Sequence, residues 1–453
     1  MRRPDRPSRF PVSRSGRLST LELALLAVLG PAAALAGGAL LGLPGRFNDF
    51  SSYWLAGRLV ASGVSPYDLA SLAALGRSEG LHFLVGGGYS YPPPFAVLMV
   101  PLASLPFETA AWIFSLTSLV AFGIAAGLCL ARLPGEVPVR LLRSLAVAAG
   151  AYPPVAASAF FGQANLLVTA ALAIGLLLVL GSWDRAGSDE RSPRLRLLGG
   201  ALLGLAAVVK LVPLLLLGPL LLGRRWWPAA GLAAGAVLPL GLAALAAPVS
   251  GQGSGSLVGL FVADGFWSNQ SLNGFATRLV APTDRTTPLL PGLDPTLLGV
   301  ALVALLGLVT VAILVARRGS MRDVRPGPGL AAGLAVLLVA GLAGAPKDSF
   351  WNHTPAVLAV GLLLPRALNR SPAAPRWTGP ALVWIWYGAA WLQALLDAAE
   401  GGLTRPLGGL GAVASSTALL GLLALWTWSS LLLLRWPARP ASDTEVADEL
   451  SAA

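Results

Sequence analysis

Two charged residues stand out because they lie in or beside apolar stretches of a chain with few charges. Asp49 follows the first apolar run, and Lys210 interrupts a long apolar run near the middle of the chain. A carboxylate at a membrane boundary can act as a general base on an incoming hydroxyl group. An ammonium group inside an apolar run is costly to bury and is typical of a site that binds an anionic group.

Each of these residues also has an ordinary structural explanation. Asp is a frequent N-terminal cap of helices, which would account for Asp49 without any chemistry. The side chain of Lys210 could extend toward the membrane interface. Lys210 is one of only two lysines and lies centrally in its run, which favours the functional interpretation.

Other polar residues are concentrated in three short segments between apolar runs. Residues 162–165 form a compact polar turn, and residues 268–274 supply amides and hydroxyls that suit sugar hydroxyls. Residues 346–353 combine basic and aromatic side chains that could hold a lipid phosphate and stack on a sugar. A turn, a polar loop and an interfacial anchor are the corresponding structural alternatives.

The elements that carry these residues are predicted to be membrane helices. Of the 453 residues, 55% are hydrophobic and 12% are charged, whereas soluble domains average about 25% charged residues. The apolar runs are continuous rather than alternating and reach the roughly 20 residues that span a bilayer as a helix. They occupy 21–43, 93–107, 108–131, 141–160, 164–183, 197–223, 227–247, 293–316, 330–345, 354–368, 378–397 and 410–434.

The composition excludes several other classes of protein. One cysteine, Cys129, allows no disulfide framework, and the two histidines, His82 and His353, provide no His-rich metal site. The net charge of +11 is spread over short loops, so membrane topology explains it better than nucleic-acid binding does.

The charges of the loops predict their sidedness. The segments 132–143, 184–196, 224–225, 317–325 and 366–376 are net positive, whereas 44–92, 248–292, 346–353 and 399–409 each sum to zero. The positive-inside rule places the first group in the cytoplasm and the second outside. Segments on opposite sides of the membrane must be joined by an odd number of crossings, and segments on the same side by an even number. To satisfy this condition, we predict that 93–107 is short and re-entrant, and that 197–223 breaks into two half-helices around Lys210–Pro213.

The termini and the first long loop complete the predicted organisation. Residues 1–18 form a basic cytoplasmic N-terminus before an uncleaved first span, with a signal peptide as the alternative. One polytopic domain of about 11–13 helices covers 19–434, and 435–453 forms a disordered cytoplasmic tail. The long outer loop 44–92 contains an amphipathic helix near Phe50, which suggests an interfacial position.

Taken in chain order, these segments resemble the glycosyltransferases of family 87, within the GT-C superfamily of membrane enzymes. The similarity runs from about residue 46 to residue 365, and its strength is that nine weak motifs occur in the same order. The motifs are Asp49 with Tyr53-Trp54, Gly63…Pro66-Tyr67, Tyr91-Pro92-Pro93, Pro101-Leu102, Gly162-Gln163…Asn165, Lys210…Pro213, Arg224-Arg225-Trp226, Asn269-Gln270-Ser271 and Trp351…His353.

The resemblance implies an all-α, GT-C-like fold and a hexosyltransferase with mannose as the expected sugar. The donor would be a polyprenyl-phosphate sugar, the acceptor a lipid-linked or cell-envelope glycan, and the typical linkage α-1,2. Asp49 would deprotonate the acceptor in an inverting reaction on the extracytoplasmic face of the plasma membrane. The residues implied for the donor are Lys210, Lys347, His353, Arg58, Gln163, Asn165 and Tyr91, and those for acceptor or sugar are Tyr53, Asn269, Gln270, Ser271 and Trp351.

The sequence departs from some GT-C relatives in the first loop, where Asn48-Asp49 stands in place of paired acids. A divalent metal would lack a carboxylate cage there, so we predict transfer without a metal or other cofactor. The rival class is a transporter or flippase of lipid-linked sugars, which would also use broken helices and buried charge. The lack of a repeat between two halves favours the enzyme, and an inactive scaffold would leave Asp49 and Lys210 without a role.

Overall fold

The computed structural model describes residues 19–81, 88–133, 137–180, 192–246, 262–322, 328–368 and 378–435. These residues form helices and loops, with one isolated bridge between Asn269 and Ser349 and no strand among them. The predicted all-α fold is confirmed. The helices are α1 (Thr20–Leu40), α2 (Asn48–Ala61), α3 (Leu69–Ser78), α4 (Pro93–Ala103), α5 (Phe107–Ala131), α6 (Val139–Gly150), α7 (Pro153–Phe160), α8 (Asn165–Leu180), α9 (Pro193–Val209), α10 (Leu217–Leu222), α11 (Trp226–Ala246), α12 (Leu272–Val280), α13 (Pro295–Ala316), α14 (Arg318–Arg322), α15 (Pro328–Gly344), α16 (Ala356–Leu368), α17 (Thr378–Ala398), α18 (Leu410–Ala414) and α19 (Thr417–Leu434).

Several described helices have the length and composition of membrane spans. Five of them, α1, α5, α11, α13 and α19, are long and apolar enough to cross a bilayer, which supports the polytopic architecture. The predicted run 141–160 is instead divided into α6 and α7. Pro153 and Pro154 occupy the first turn of α7, where the missing proline N–H groups are tolerated, but they could not continue a helix from α6. The predicted N-terminus 1–18 and the tail beyond Arg435 lie outside the described residues.

One end of the bundle, which we call the basic end, brings together segments with net positive charge. The side chain of Arg322 donates to the carbonyl of Leu222 at 3.0 Å, and that of Arg317 donates to the carbonyl of Leu433 at 3.1 Å. The first bond joins the loop after α13 to the end of α10, just before the loop 224–225, and the second joins the loop after α13 to the C-terminal end of α19. The contacts agree with the prediction that these loops share one side of the membrane.

The two segments that complicated the predicted topology have the expected shapes. Tyr91, just before α4, contacts Tyr53 of α2, and the carbonyl of Leu105, just after α4, accepts from Trp54 of α2 at 3.1 Å. Because both ends of α4 lie beside one short helix, α4 does not cross to the basic end. Helix α9 ends at Val209, and a 3₁₀ turn over Val212–Leu216 leads into α10. The predicted break around Lys210–Pro213 is therefore confirmed.

Helix α2 is present where the amphipathic spacing predicted a helix, but it is buried in the protein. Phe50, Tyr53 and Trp54 are at most 1% exposed, and Ser51 is fully buried on another face. A Cβ atom on Gly57 would lie 3.0 Å from the backbone of Met99, which shows how closely α2 and α4 approach. Contacts on several faces make α2 part of the protein interior rather than a helix lying on its surface.

Glycines hold α9 and α11 at close range. Gly200 and Gly204 on α9, and Gly231 and Gly235 on α11, each face backbone carbonyl or amide groups of the other helix. This spacing of two small residues four apart on both helices is typical of close packing between membrane helices. This close packing fixes the direction of α9 and therefore the position of Lys210, which follows its C-terminal end.

Replacing Gly204 with alanine is expected to destabilise the protein by about 1–3 kcal/mol, because the new Cβ would overlap the carbonyl oxygen of Leu232. The unfolding temperature in detergent measures the effect. Gly241→Ala on α11 is the matched control, since nothing lies within 4 Å of its added Cβ and alanine favours a helix. Equal unfolding temperatures for the two variants would contradict the close packing.

Candidate active site

Asp49 lies in the first turn of α2 but does not cap it. The N-terminal cap is Phe47, in a left-handed conformation with φ of 59° and no side-chain hydrogen bond to the helix. The Oδ2 atom of Asp49 is buried and has no hydrogen-bond partner. The capping explanation of Asp49 is therefore excluded. A carboxylate in the first turn still gains from the positive end of the helix dipole.

The turn between α7 and α8 positions this end of α2. The carbonyl of Phe160 accepts from the backbone N–H of Phe47 at 3.0 Å, and that of Phe161 accepts from Asp49 at 3.0 Å. Gly162 follows with φ of 67°, and a Cβ atom there would lie 2.8 Å from the Cβ of Phe50. Glycine is required because the turn is both left-handed and in contact with α2.

Gln163 links this turn to two tyrosines. Its Oε1 atom lies 2.8 Å from the hydroxyl of Tyr53 and 2.9 Å from that of Tyr91, and the two hydroxyls are 2.7 Å apart. Gln163 is also close enough to Asp49 to lower the pKa of its carboxyl group. The structure therefore brings together Asp49 and three of the residues implied by the resemblance.

Burial raises the pKa of Asp49 to about 6, although Gln163 and the positive charge of Lys210 act in the opposite direction. Taking a carboxylate out of water disfavours its charged form. A base is most effective when its pKa lies near the working pH, because it is then ionised and still able to accept a proton. Asp49 has this property.

The pH dependence of activity should report this group. If Asp49 acts as a base, it must be deprotonated, so the rate is expected to rise as pH increases through about 6 and then to level off. Initial rates from pH 4.5 to 8.5, measured at saturating and at low substrate, check this. A rate that is flat between pH 5 and 7 would mean that no group with this pKa limits the reaction.

Lys210 reaches the same site from the break between α9 and α10. Its Nζ atom donates to Oδ1 of Asn352 at 2.6 Å and lies 5.4 Å from the ring centroid of Tyr91. Asn165 donates to the same Oδ1 at 3.2 Å and to the carbonyl of Trp351 at 2.9 Å. We call Asp49, Tyr53, Tyr91, Gln163, Asn165, Lys210 and Asn352 the Asp49–Lys210 cluster.

The cluster consists of a carboxylate with a buried Oδ2 atom and an ammonium group, joined by amide and phenol groups. The model of glycosyltransferase family 87 matches residues 89–346, more than half of the chain. The chain belongs to glycosyltransferase family 87. No curated protein matches it.

The family 87 match covers part of the cluster. Tyr91, Gln163, Asn165 and Lys210 lie inside the matched residues, whereas Asp49 and Tyr53 precede them and Asn352 follows them. Membership of the family makes the protein a glycosyltransferase, which favours the enzyme over the transporter or flippase. Sugar transfer needs a base for the acceptor hydroxyl and stabilisation of the departing group, and the cluster offers one candidate for each.

Asn352 is a member of the cluster that the sequence analysis missed. It lies between Trp351 and His353, both of which were named as candidates. A single polar residue in an aromatic segment carried no signal of its own. Its role becomes visible only because the α9 break, the start of α8 and the segment after α15 meet in space.

His353 does not take part in the cluster through its ring. The ring is 1% exposed, and its Nε2 atom lies 3.3 Å from Oδ2 of Asp348. Trp351 remains half-buried, with its ring 4.8 Å from that of Phe161. The structure thus places Trp351 at the edge of the site and His353 in a buried pair behind it.

Asn269, Gln270 and Ser271 use most of their polar atoms inside the protein. Oδ1 of Asn269 accepts from the hydroxyl of Ser271 at 2.8 Å and from the backbone N–H of Asp348 at 3.1 Å. The Nε2 atom of Gln270 donates to the carbonyl of Ser415 at 2.8 Å. All three residues are fully buried, so the structure gives them a role in joining loops.

Arg58 and Lys347 lie outside the cluster. Arg58, near the C-terminal end of α2, pairs with Glu79 at 3.3 Å, and Lys347 pairs with Asp264 at 2.9 Å with its side chain 66% exposed. Arg58 lies nine positions after Asp49 on the same helix, a distance of about 13 Å along the axis. Of the cations named from sequence, Lys210 is the one that the structure brings to Asp49.

The described residues offer no ready-made metal site. Among them, no group of three or more His, Cys, Asp and Glu side chains is arranged to hold a metal ion. Transfer without a metal therefore stays a prediction, and adding chelator to a sugar-transfer assay tests it.

Proposed function

We propose that this family 87 glycosyltransferase moves a hexose, with mannose as the first expectation, from a polyprenyl-phosphate sugar to a lipid-linked or cell-envelope glycan. The supporting observation is the cluster itself. Asp49 has a buried, unpartnered Oδ2 atom, and Lys210 is near enough to lower the pKa of that carboxyl. A base and an anion partner within one site suit displacement of a phosphate by a hydroxyl.

The proposed reaction is a direct displacement with inversion. Asp49 takes the proton of the acceptor hydroxyl while that oxygen forms a bond to the anomeric carbon. The bond from this carbon to the lipid phosphate oxygen breaks, and its electron pair leaves with the phosphate. The phosphate then carries one more negative charge, which the ammonium of Lys210 stabilises. Gln163 and Asn352 hold the base and the cation in place.

Charge supports an extracytoplasmic location for the cluster. Its members come from the neutral segments 44–92 and 346–353 and from the breaks near 163 and 210, whereas positive segments gather at the basic end. Under the positive-inside rule, we propose that both termini are cytoplasmic and that the cluster lies outside, in a protein of the plasma membrane. The phosphate of a membrane-bound donor lies at headgroup depth, where such a site can reach it.

The test is transfer of labelled mannose from synthetic polyprenyl-phosphate-mannose to cell-envelope glycolipids, using membranes that contain the native protein. Donors carrying glucose or a pentose are compared in parallel, and each assay is repeated with chelator. We expect transfer that chelator does not change. Absence of transfer from every polyprenyl-linked sugar, together with movement of intact donor across sealed vesicles, would replace the proposal with a flippase.

A further inference from the structure

A row of aromatic rings leads away from the Asp49–Lys210 cluster. The ring centroids of Phe161 and Trp351 are 4.8 Å apart, those of Trp351 and Trp267 are 6.4 Å apart, and those of Trp267 and Phe266 are 5.4 Å apart. We call these four residues the aromatic track. They come from three separate segments of the chain, so the fold assembles the row.

The track begins at the candidate base. The carbonyl of Phe161 accepts from the backbone N–H of Asp49, and the carbonyl of Trp351 accepts from Asn165 at 2.9 Å. Further along the row, the guanidinium of Arg285 lies 4.5 Å from the ring centroid of Trp267. The row therefore joins the reaction site to a charged patch on the loop after α12.

The rings remain partly accessible and are firmly held. Phe161, Trp351 and Trp267 are half-buried, and Phe266 is 50% exposed. Buried Arg278 donates to the carbonyl of Phe266 at 3.1 Å and so fixes the loop that carries two of the rings. A rigid and partly exposed aromatic surface is typical of a binding site, because less ordering of the protein is needed when the surface is already formed.

We propose that the aromatic track binds the acceptor glycan over more than one sugar unit, and this rests on the proposed function. The C–H face of a pyranose is apolar and can cover an aromatic ring, while its hydroxyls reach polar groups at the edge. A pyranose is a six-membered ring like those of the track. Four rings in sequence therefore offer more surface than one sugar covers, and the end at Phe161 directs the terminal sugar toward Asp49.

Charged groups beside the track favour a glycan over the polyprenyl chain of the donor. Asp264 accepts from the backbone N–H of Phe266 at 3.0 Å and pairs with Lys347. An apolar chain along the row would remove water from this ion pair without replacing its hydrogen bonds. Sugar hydroxyls can replace them.

Binding of sugar oligomers without donor tests the proposal. Saturation-transfer NMR in detergent would compare mannose, mannobiose and mannotriose with the glucose series of the same lengths, on the native protein and on Trp267→Leu. We expect about three- to tenfold tighter binding from one to three units in at least one series, as one stacked ring would contribute. Trp267→Leu is expected to lose this gain.

Trp391→Leu is the matched control, because Trp391 lies 45% exposed on α17, outside the track. It should retain the gain with length. Loss of transfer in Asp49→Asn would concern the proposed function and not this binding, which is measured without donor. A gain that is absent from both sugar series, or equally present in Trp267→Leu, overturns the proposal. So does displacement of the sugars by farnesyl phosphate in the native protein but not in Trp267→Leu, which would identify a lipid track.

Discussion

Replacing Asp49 with asparagine is expected to lower the rate of sugar transfer by about 10²–10⁴-fold. Asparagine keeps the size of the side chain but cannot accept the proton of the acceptor hydroxyl. Binding of the donor should change little, since its phosphate faces Lys210 in the proposed arrangement. Single-turnover rates at saturating donor, together with donor affinity measured separately, distinguish the loss of a base from the loss of a binding group.

The same substitution is expected to stabilise the protein at neutral pH. The folded-state pKa of Asp49 is raised to about 6 from an ordinary value of 3.8, so folding favours the protonated form. This shift stabilises the folded protein fully below pH 3.8, and the stabilisation is lost as pH rises through about 6. Above that pH, the ionised carboxylate destabilises the folded state by on the order of 3 kcal/mol relative to its protonated form. Asparagine is not ionised and has no such cost.

Unfolding temperatures of both proteins at pH 5 and pH 7.5 measure this effect, and the difference should be larger at pH 7.5. Asp68→Asn is the matched control in the same loop. Asp68 caps α3 by accepting from the backbone N–H of Ala70 at 3.0 Å, and asparagine caps helices about equally well. Activity lost equally in both variants, or retained in Asp49→Asn, would remove Asp49 from the reaction.

The predictable part of the site consisted of residues whose type conflicts with their surroundings. Asp49 and Lys210 could be found because charge is expensive in an apolar segment, so each needs a reason to be there. The break after α9 was predictable for a similar reason, since Lys210 and Pro213 both disfavour a continuous apolar helix. The family motifs then gave these residues an order along the chain.

The part that could not be predicted depends on contacts between distant segments. Asn352 resembles any polar loop residue until Lys210 and Asn165 both reach its side-chain oxygen. Conversely, Asn269 looked suited to a sugar, but its oxygen is used by the backbone of Asp348. Residue type states which bonds a side chain can make, and only the fold decides whether the partner is protein or ligand.

Replacing Lys210 with methionine is expected to reduce transfer by roughly 100-fold or more. In the proposed reaction the donor phosphate gains a negative charge as its bond to the sugar breaks, so an ammonium group beside it stabilises the transition state more than the bound donor. The maximal rate should therefore fall more than donor affinity. Arginine should restore little, because its planar guanidinium differs in shape from the ammonium that Asn352 holds at 2.6 Å.

Lys347→Met is the matched control, since it removes the other lysine by the same substitution. Lys347 is largely exposed and pairs with Asp264, and exposed ion pairs contribute only about 0–1 kcal/mol. We expect it to retain most of the activity, while Asn352→Asp, which sets a second negative charge against Lys210, should lose much of it. A large loss in Lys347→Met beside an active Lys210→Met would move the phosphate to the loop before α16. The two variants can be distinguished because the two lysines have opposite environments. Lys210 lies in the cluster with Asp49, whereas Lys347 is largely exposed and pairs with Asp264.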